Sequence, residues 1–428
     1  MSIYDQNADK AKQQLDKISP SMCYAKWSQV SMHLTNGMTH SCYHPPTHKV
    51  PLEELEKNIT ALHNTEEKKE QRRLMLKGER PDGCSYCWNI EDQGDRSDRI
   101  YRSGEYWAQE SRQDIMDAGA SGNINPRYVE VNFNQACNFK CSYCSPHLST
   151  AWQEEIDEHG EYPTVAPHNN VDSLRNKNLM PLRVAQDDNP YVTAFWKWWP
   201  DMYKTLRVFR MTGGEPLMDK NTFKVMEYVL ENPNKDLELS ITTNMCPVNQ
   251  VLFERFMTLI KQLDNVEHSA EVYVPDPHDG TDWQTWDHYI VGADSKRYHS
   301  SELPSIEREE IKQTFLQIGQ CEEQGDNSYT YEYKYNDKAY HNFSVFVSLD
   351  GWGPQAEYIR HGMDFDQVWS NVNRFLDETH HTSINFINTF NCLSLPSLRE
   401  FLEGILELRK KWNKSIQYAL GWEVPEQL

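Results

Sequence analysis

Short apolar runs alternate with longer amphipathic stretches along the chain from residue 127 onward. The short runs have the length and the β-branched or aromatic content of strands, whereas the longer stretches repeat apolar residues at the helical period. Regular strand–helix alternation predicts parallel strands joined by crossover helices. Six such units favour an α/β fold of the partial (βα)6 TIM-like barrel type over a doubly wound sheet. The predicted strands are 128–134, 206–212, 237–243, 343–349, 383–390 and 416–420, and the clearest helices between them are 221–232 and 252–263.

The N-terminal part follows a different pattern, with short apolar pieces separated by Gly and Pro. Residues 1–19 are polar and predicted to be helical. A single helix is predicted over 52–78, where Gly78 is placed to end it. Residues 93–125 predict a polar connector with one short helix.

An acidic, loop-rich stretch at about 264–342 breaks the alternation, and we interpret it as an insertion. Its last part alternates at period 2 around an Asn-Asp turn at 336–337, which predicts a hairpin. We therefore divide the chain into a small N-terminal module, 1–125, and a barrel core, 126–428, that carries the insertion.

The chain of 428 residues has 43 Lys and Arg against 64 Asp and Glu, which gives a net charge of −21. This acidity disfavours nucleic acid and an anionic membrane surface as partners, because both bind clustered Lys and Arg. No apolar run approaches the ~18 residues of a transmembrane helix, and the N-terminus has no apolar signal segment, so we expect a cytoplasmic protein. The aromatic run at 195–203 is predicted to pack in the core.

The ten cysteines are more informative, because disulfides are rare in a reducing cytosol and clustered thiols there indicate metal binding or catalysis. The longest group is Cys137-x3-Cys141-x2-Cys144, directly after the first barrel strand. Barrel folds place their active sites at that carboxyl edge. Three thiolates suit a 4Fe–4S cluster with one open iron, or a zinc ion if His147 supplies a fourth ligand.

The same motif, with an aromatic Tyr143 before its last cysteine, resembles the signature of the radical S-adenosylmethionine (SAM) superfamily. In that family the three cysteines hold a 4Fe–4S cluster whose open iron binds SAM, so the resemblance implies both cofactors. It also implies that Tyr143 lies near the adenine and Asn244, after the third strand, near the ribose. Ser348, on the fourth strand, belongs to the implied SAM site as well.

Two further motifs resemble the family's contacts with the methionine end of SAM. Gly213, Gly214 and Glu215 follow the second strand and resemble the turn that contacts the methionine amino group. Glycines allow close approach of the backbone, and a carboxylate suits an ammonium group. Arg360 resembles the arginine that pairs with the methionine carboxylate.

The cysteines of the N-terminal module resemble the opening of a SPASM or twitch module, which holds auxiliary 4Fe–4S clusters in radical SAM enzymes. The resemblance implies one auxiliary cluster with four thiolate ligands. Structural zinc is the alternative, with His44 or His48 in place of a cysteine. The four cysteines are Cys23, Cys42, Cys84 and Cys87.

The resemblance implies that SAM is cleaved reductively to methionine and a 5′-deoxyadenosyl radical, which abstracts hydrogen from a substrate. A flavodoxin or ferredoxin is the implied electron donor. Twitch and SPASM relatives imply a peptide or protein side chain as substrate, and a sugar or nucleoside is the alternative. A catalytically inactive iron–sulfur or zinc-stabilised binding protein is a third interpretation.

Candidates for further chemistry are Asp350, as a base or substrate ligand, and Cys321 and Cys392, as hydrogen donors, although both cysteines are expected to be buried and inert.

Overall fold

The computed structural model describes residues 3–163, 169–234, 236–263, 343–379 and 382–420, together with five short strands between 264 and 342. The strands in chain order are β1 (Gln29–His33), β2 (Met38–His40), β3 (His48–Lys49), β4 (Tyr128–Asn132), β5 (Lys140–Cys141), β6 (Val208–Thr212), β7 (Glu238–Thr243), β8 (Val272–Val274), β9 (Tyr289–Val291), β10 (Arg297–His299), β11 (Glu322–Glu323), β12 (Tyr329–Tyr331), β13 (Phe343–Ser348), β14 (Arg360–His361) and β15 (Ser383–Ile387). The helices are α1 (Ile3–Asp16), α2 (Ala25–Ser28), α3 (Leu52–Lys57), α4 (Glu66–Leu76), α5 (Ser85–Glu91), α6 (Asp98–Gly104), α7 (Tyr106–Glu110), α8 (Arg112–Ala118), α9 (Thr150–His159), α10 (Val171–Asn176), α11 (Pro190–Tyr203), α12 (Lys220–Glu231), α13 (Gln250–Leu263), α14 (Gly353–Ile359), α15 (Phe365–Glu378) and α16 (Leu398–Leu420).

Eight strands form one sheet in the order β15-β13-β7-β6-β4-β1-β2-β3. The strands from β15 to β1 run parallel, whereas β2 and β3 are antiparallel additions at the β1 edge. Helices lie between successive parallel strands of the core. No pairing among the described strands joins β15 to β3, so the sheet is open. The predicted α/β fold, a partial barrel with parallel strands and crossover helices, is confirmed.

The parallel strands bury one face against the helices. Val129 and Val131 on β4 belong to the same hydrophobic cluster as the buried rings of Trp198 and Trp199 on α11. The aromatic run at 195–203 therefore packs in the core, as predicted. Because side chains alternate along a strand, the residues between these valines face the other side of the sheet.

The sixth parallel strand is not the one that the sequence predicts. Residues 416–420 form the end of α16, so the predicted strand there is wrong. No Gly or Pro interrupts the chain between 405 and 420, and the helix continues through this segment. The sixth strand is instead β1, which pairs in parallel with β4 along its full length. The sheet therefore crosses the boundary proposed at residue 125.

The helix predicted over 52–78 is also wrong, because it is broken into α3, a 3-10 turn at Ile59–Leu62, and α4. The backbone leaves the helical region at Asn58, where φ is −149°. The side chains of Asn58 and Thr65 each accept a hydrogen bond from a backbone N–H in the following turn, and such caps favour new helix starts. Gly78, with φ of +82°, follows α4 and ends it as predicted.

The N-terminal module has a hydrophobic cluster of its own. The connector at 93–125, predicted with one helix, contains α6, α7 and α8. The cluster includes Trp27, Trp107 and the cysteines at 84 and 87, and it also includes Tyr128, the first residue of β4. The module therefore packs against the amino ends of the parallel strands.

Within the insertion, β12 pairs antiparallel with both β8 and β11, and β9 pairs with β10. The hairpin turn predicted at 336–337 and Cys321 lie outside the described residues. None of the helices described has both the length and the apolar character needed to cross a membrane.

Candidate functional site

The loop after β4 carries the three-cysteine motif and is anchored to the start of α9. The Cys137 N–H donates to the Thr150 hydroxyl at 3.1 Å, and the Ser149 hydroxyl donates to the Phe139 carbonyl at 2.7 Å. Ser149 is also the N-cap of α9 and accepts from a backbone N–H of its first turn. The helix start therefore fixes the fold of the loop.

Burial controls the chemistry of the three thiols. It raises the pKa of Cys137 to about 12 and that of Cys144 to about 11, and it also raises the pKa of Cys141. Neighbouring thiolates of the same motif raise the pKa of Cys137 and of Cys144 further, so the three groups are close together. Such thiols are protonated at neutral pH unless a metal binds them as thiolates. The donor set, three soft sulfur ligands in one loop, fits an iron–sulfur cluster.

A distant part of the chain meets this loop at Cys141. Strands β5 and β14 pair antiparallel and place Arg360 opposite Cys141. The Nη1 atom of Arg360 donates to the Cys141 Sγ at 3.7 Å. Gly362 follows with φ of +102°, and a Cβ there would lie 2.7 Å from the Asn138 carbonyl oxygen. This close approach requires glycine.

Asp350 holds the other side of Arg360. Its Oδ2 lies 2.8 Å from the Arg360 Nε, and its Oδ1 accepts from Nη2 at 3.1 Å. The Tyr143 hydroxyl donates to Oδ2 at 2.6 Å, and the Thr389 N–H donates to Oδ1 at 2.7 Å. Asp350 is fully buried, so these partners stabilise its charge. The carboxylate is engaged by four groups, which leaves Nη1 of Arg360 directed at the cysteine.

The Gly-Gly-Glu turn packs directly on the cysteine loop. The N–H of Gly214 donates to the Asn134 carbonyl at 3.3 Å, and the N–H of Glu215 donates to the Ala136 carbonyl at 2.6 Å. A Cβ on Gly214 would lie 2.3 Å from the Ala136 oxygen, and Gly213 has a φ of +129°. Both positions therefore need glycine, one for space and one for conformation.

The Glu215 carboxylate lies beneath this turn, with a residue exposure of 1%. It accepts hydrogen bonds from the Leu217 N–H at 3.0 Å, the Thr243 hydroxyl at 2.7 Å and the Asn244 N–H at 2.6 Å. Burial raises its pKa to about 7, and the three donors oppose the rise. The carboxyl thus joins the turn to the end of β7.

The other two residues implied at the SAM site lie directly after β7 and at the end of β13. The Asn244 amide, next to β7, donates to the Asn138 side chain at 3.0 Å, and Asn138 donates to the Cys246 carbonyl at 2.7 Å. Asn244 therefore contacts the cysteine loop. Ser348 ends β13 and is half-buried.

Two candidates lie apart from this network. The His147 Nδ1 lies 2.6 Å from the Ser145 hydroxyl oxygen. Cys392 is exposed in the turn after β15, so the expectation that it is buried is wrong. The reason is that the chain leaves the sheet at Ile387 and returns only as a surface turn before α16.

All four cysteines of the N-terminal module line a single cavity. Burial raises the pKa of Cys23 to about 12 and that of Cys87 to about 11. The other module cysteines raise the pKa of Cys23 further, which shows that the four thiols form one electrostatic group. Four thiolates around one cavity fit a four-iron cluster with a closed coordination shell.

The two histidines considered as zinc ligands have other partners. The His44 Nε2 lies 2.6 Å from Asp98, and its ring stacks on Tyr86 with centroids 3.7 Å apart. The His48 Nε2 lies 2.8 Å from the Thr65 hydroxyl. Among the residues that the structure describes, no group of three or more His, Cys, Asp or Glu side chains is arranged to hold a metal ion, so both cysteine groups are matched to clusters by their donor sets and not by ligand geometry.

The two cysteine groups lie at opposite ends of β4, one near its amino end and the other after its carboxyl end. β4 begins at Tyr128, whose hydroxyl is hydrogen-bonded to the hydroxyl of Tyr43, the residue after Cys42. Its last residue is Asn132, and the loop to Cys137 follows. Five residues of a strand span about 16 Å, because each rises about 3.3 Å.

A polar sheet face lies between these two edges, and the sequence reasoning missed it. Glu130 and Arg210 are neighbours across β4 and β6, with Nε and Oε2 3.9 Å apart. Arg210 also donates to the Thr242 hydroxyl at 3.3 Å and lies over the Phe346 ring at 4.4 Å. The sequence does carry a signal for this face, because polar residues occupy alternate positions of the predicted strands.

Comparisons with known proteins give partial similarity. No family model matches the chain. The chain is similar to GTP 3′,8-cyclases. It is 28% identical over 117 residues to the enzyme of Campylobacter curvus, and the match covers 27% of each chain. It is 27% identical over 156 residues to the enzyme of Desulforamulus reducens, and the match covers 36% of this chain and 37% of the relative. The enzyme of Trichormus variabilis is 23% identical over 193 residues, covering 43% of this chain and 50% of the relative. The chain thus spans between about a quarter and a half of the length of these relatives.

Among solved structures, Streptococcus suis SuiB bound to S-adenosylmethionine is 11% identical, with a TM-score of 0.31, and the match covers 91% of this chain and 60% of that one. SuiB bound to the precursor peptide SuiA gives a TM-score of 0.32 at 10% identity, covering 89% and 60%.

Proposed function

We propose that this protein is a radical SAM enzyme that generates a 5′-deoxyadenosyl radical to abstract hydrogen from its substrate. The observation that carries the proposal is the meeting of three separate motifs at one carboxyl edge of the sheet. Arg360 lies beside Cys141, and the turn at 213–215 packs on the same loop. The similarity to GTP 3′,8-cyclases supports membership of the radical SAM superfamily.

The three thiols of the cysteine loop would hold a 4Fe–4S cluster. When bound, such a cluster would supply the electron for cleavage of SAM. Asp350 fixes two nitrogens of Arg360, so Nη1 is the atom proposed to meet the methionine carboxylate. The backbone of Gly213 and Gly214 is proposed to contact the methionine amino group. Glu215 is proposed to support that turn from below, because its oxygens already accept three hydrogen bonds.

The remaining contacts would serve the nucleoside end of SAM. The Tyr143 ring is held by its hydrogen bond to Asp350 and is proposed to lie near the adenine. Asn244 and Ser348 are proposed on the ribose side, since one contacts the cysteine loop and the other ends the neighbouring strand β13.

We assign the cavity of the N-terminal module to an auxiliary 4Fe–4S cluster. Four thiols share that cavity, and His44 and His48 are engaged elsewhere. Structural zinc bound by the same four cysteines is the alternative, and the metal content distinguishes the two. The implied electron donor is a flavodoxin or ferredoxin.

The substrate class has two candidates. The auxiliary-cluster module favours a peptide or protein side chain, which is the class that its resemblance implies. A small molecule such as a sugar or nucleoside is the second candidate, and the similarity to enzymes named for GTP favours it. Arg210 on the polar sheet face would bind an anionic group of either substrate.

The Cys141→Ala variant tests the catalytic assignment. Anaerobically purified wild-type protein, given SAM and a strong reductant, should release 5′-deoxyadenosine, measured by chromatography and mass spectrometry. The variant keeps two thiols of the motif, which are too few for the cluster, so the product should fall to the protein-free background.

Cys392→Ala is the matched control, because Cys392 is exposed and belongs to neither cysteine group. It should retain wild-type product formation. Wild-type levels of 5′-deoxyadenosine from Cys141→Ala would contradict the proposal, and a wild-type protein that binds iron but never cleaves SAM would favour an inactive binding protein.

A further inference from the structure

Three cations are buried together in the N-terminal module. Lys68 and Arg72, both on α4, have no exposed surface, and Lys26 on α2 has an exposure of 2%. None of the three pairs with a carboxylate of the described residues. Burial raises the pKa of Glu67 and Lys26 opposes that rise, yet the two groups do not form an ion pair.

Neutral oxygens and a histidine are the partners of these cations. The Lys68 amine donates to the Gln29 carbonyl at 3.1 Å and to the His63 Nδ1 at 2.7 Å. The Lys26 amine donates to the Gln71 side chain at 2.7 Å. Arg72 donates to the Asn64 side chain at 2.9 Å and to the Lys26 carbonyl at 3.3 Å. Hydrogen bonding is thus satisfied, but the positive charge is not compensated.

The charge lies beside the four-cysteine cavity. Lys26 is one of its lining residues. It lowers the pKa of Cys42, although burial outweighs it and the net shift is upward. Burial lowers the pKa of Lys68 well below its usual value, and Arg72 and Lys26 lower it further, whereas thiolates at Cys42 and Cys23 oppose this shift. An anion in the cavity would therefore favour the protonated form of Lys68. Lys68 and Arg72 both contact His63, and Arg72 donates to the Lys26 carbonyl, so the three side chains form one group that reaches the cavity through Lys26.

Buried charge without a counter-charge is strongly unfavourable. The described acids at the cavity do not remove the imbalance. Glu91 is paired with Arg99 at 2.6 Å, and Asp98 lies against His44. A four-iron cluster with four thiolate ligands has a net charge of about −2 when oxidised and about −3 when reduced. An anion of this size in the cavity would compensate the three cations.

We propose that Lys26, Lys68 and Arg72 are a counter-charge shell that stabilises the reduced form of the auxiliary cluster and so raises its midpoint potential. This rests on the proposed function, because it requires the auxiliary cluster.

The test is the midpoint potential of the auxiliary cluster, followed by electron paramagnetic resonance during anaerobic redox titration. Each variant is made in the full chain that carries Cys141→Ala, so that one cluster gives the signal. Lys26→Gln and Lys68→Gln should each move the potential to a more negative value. We expect at least a tenfold lower ratio of reduced to oxidised cluster at the unsubstituted midpoint, which is about 59 mV for one electron.

Lys69→Gln is the matched control, because Lys69 is adjacent on α4 but pairs with Glu66 at 3.0 Å. The midpoint potential of the auxiliary cluster should be unchanged in Lys69→Gln. Lys26→Arg keeps the positive charge, so its cluster should have the unsubstituted potential and not the lower potential expected for Lys26→Gln. If Lys68→Gln fails to fold, Lys26→Gln carries the test.

Equal midpoint potentials for Lys26→Gln and Lys69→Gln would overturn the proposal that these cations stabilise the reduced cluster. A wild-type protein with one cluster, or with zinc in the module, would overturn it as well. In either case, cleavage of SAM by that protein would show that the proposed radical chemistry still stands.

Discussion

Glu215 has an environment unlike that of a surface carboxylate. Its exposure is 1%, and its only described partners are two backbone N–H groups and the Thr243 hydroxyl. No cation of the described residues pairs with this carboxylate, and burial therefore raises its pKa to about 7. The charge of this side chain consequently changes within the physiological pH range.

The raised pKa predicts that the free energy of unfolding depends on pH. The folded pKa, about 7, exceeds the 4.5 of an ordinary glutamate, so the folded protein binds the proton more tightly. The stabilisation from Glu215 is complete below about pH 4.5 and is lost as pH rises through about 7, with an upper magnitude on the order of 3 kcal/mol. Chemical denaturation between pH 5 and pH 8 measures it.

Glu215→Gln removes the titration and should flatten this part of the pH profile. It should also lower stability by about 1–3 kcal/mol, because its NH2 group meets the Asn244 N–H in place of an acceptor. An unchanged pH profile in the variant would contradict the assignment of the titration to Glu215.

At the scale of elements, the contact between the turn after β6 and the cysteine loop is the tightest feature of the site. Two N–H groups of the turn donate to carbonyls of the loop. A Cβ on Gly214 would lie 2.3 Å from the Ala136 oxygen and 2.7 Å from the Gln135 oxygen. These are backbone atoms, which cannot move aside as a flexible side chain can.

Gly214→Ala should therefore separate the turn from the loop. We expect a loss of about 1–3 kcal/mol from overpacking, with weaker SAM binding by isothermal titration of the anaerobic protein. Gly94→Ala is the control: the new Cβ has no heavy atom within 4 Å, but φ is +89°, so the change strains the backbone at an exposed position and should leave SAM binding unchanged. SAM binding as tight in Gly214→Ala as in Gly94→Ala would show that the contact is not needed.

Strands flanked by clear breaks were predictable from the sequence, because alternation and punctuation are local properties. β4, β6, β7, β13 and β15 all lie within predicted segments. Partners in the sheet are not local, and nothing in the run Gln29–His33 shows that it pairs with a strand about a hundred positions away (128 − 29 = 99). The sixth strand was therefore sought at the wrong end of the chain.

In the candidate site, too, local motifs could be predicted from the sequence, whereas contacts between distant segments could not. The cysteine spacings and the Gly-Gly-Glu turn are sequence motifs, so their residues were named in advance. The partnership of Asp350 with Arg360 and Tyr143 depends on the pairing of β5 with β14, which no local pattern shows. Lys68 and Arg72 lie in a polar helical run that predicts a solvated face, and only tertiary packing buries them.

At the scale of the molecule, the two cysteine groups predict a metal content. Three thiolates and four thiolates would hold one cluster each, so anaerobic protein should contain about eight irons, as two clusters of four. Elemental analysis together with Mössbauer spectroscopy measures the count and the cluster type.

The variant with Cys84→Ala and Cys87→Ala should contain about four irons and should still bind SAM, because the loop after β4 is unchanged. Air-exposed protein is unsuitable, since cysteine ligands oxidise. Four irons with one zinc in the wild type would assign zinc to the N-terminal module and leave the SAM site intact.

The pairing of β1 with β4 has a consequence for how the chain is made. Domains commonly fold in the order in which the ribosome releases them. Here the N-terminal module cannot complete its fold before β4 emerges, because β1 then lacks its parallel neighbour and the hydrophobic cluster of the module lacks Tyr128. A nascent chain arrested before β4 would hold four cysteines around an unfinished core. Any metal held in the N-terminal cavity would therefore enter only after β4 has emerged, at the time when the loop that follows β4 is also being made.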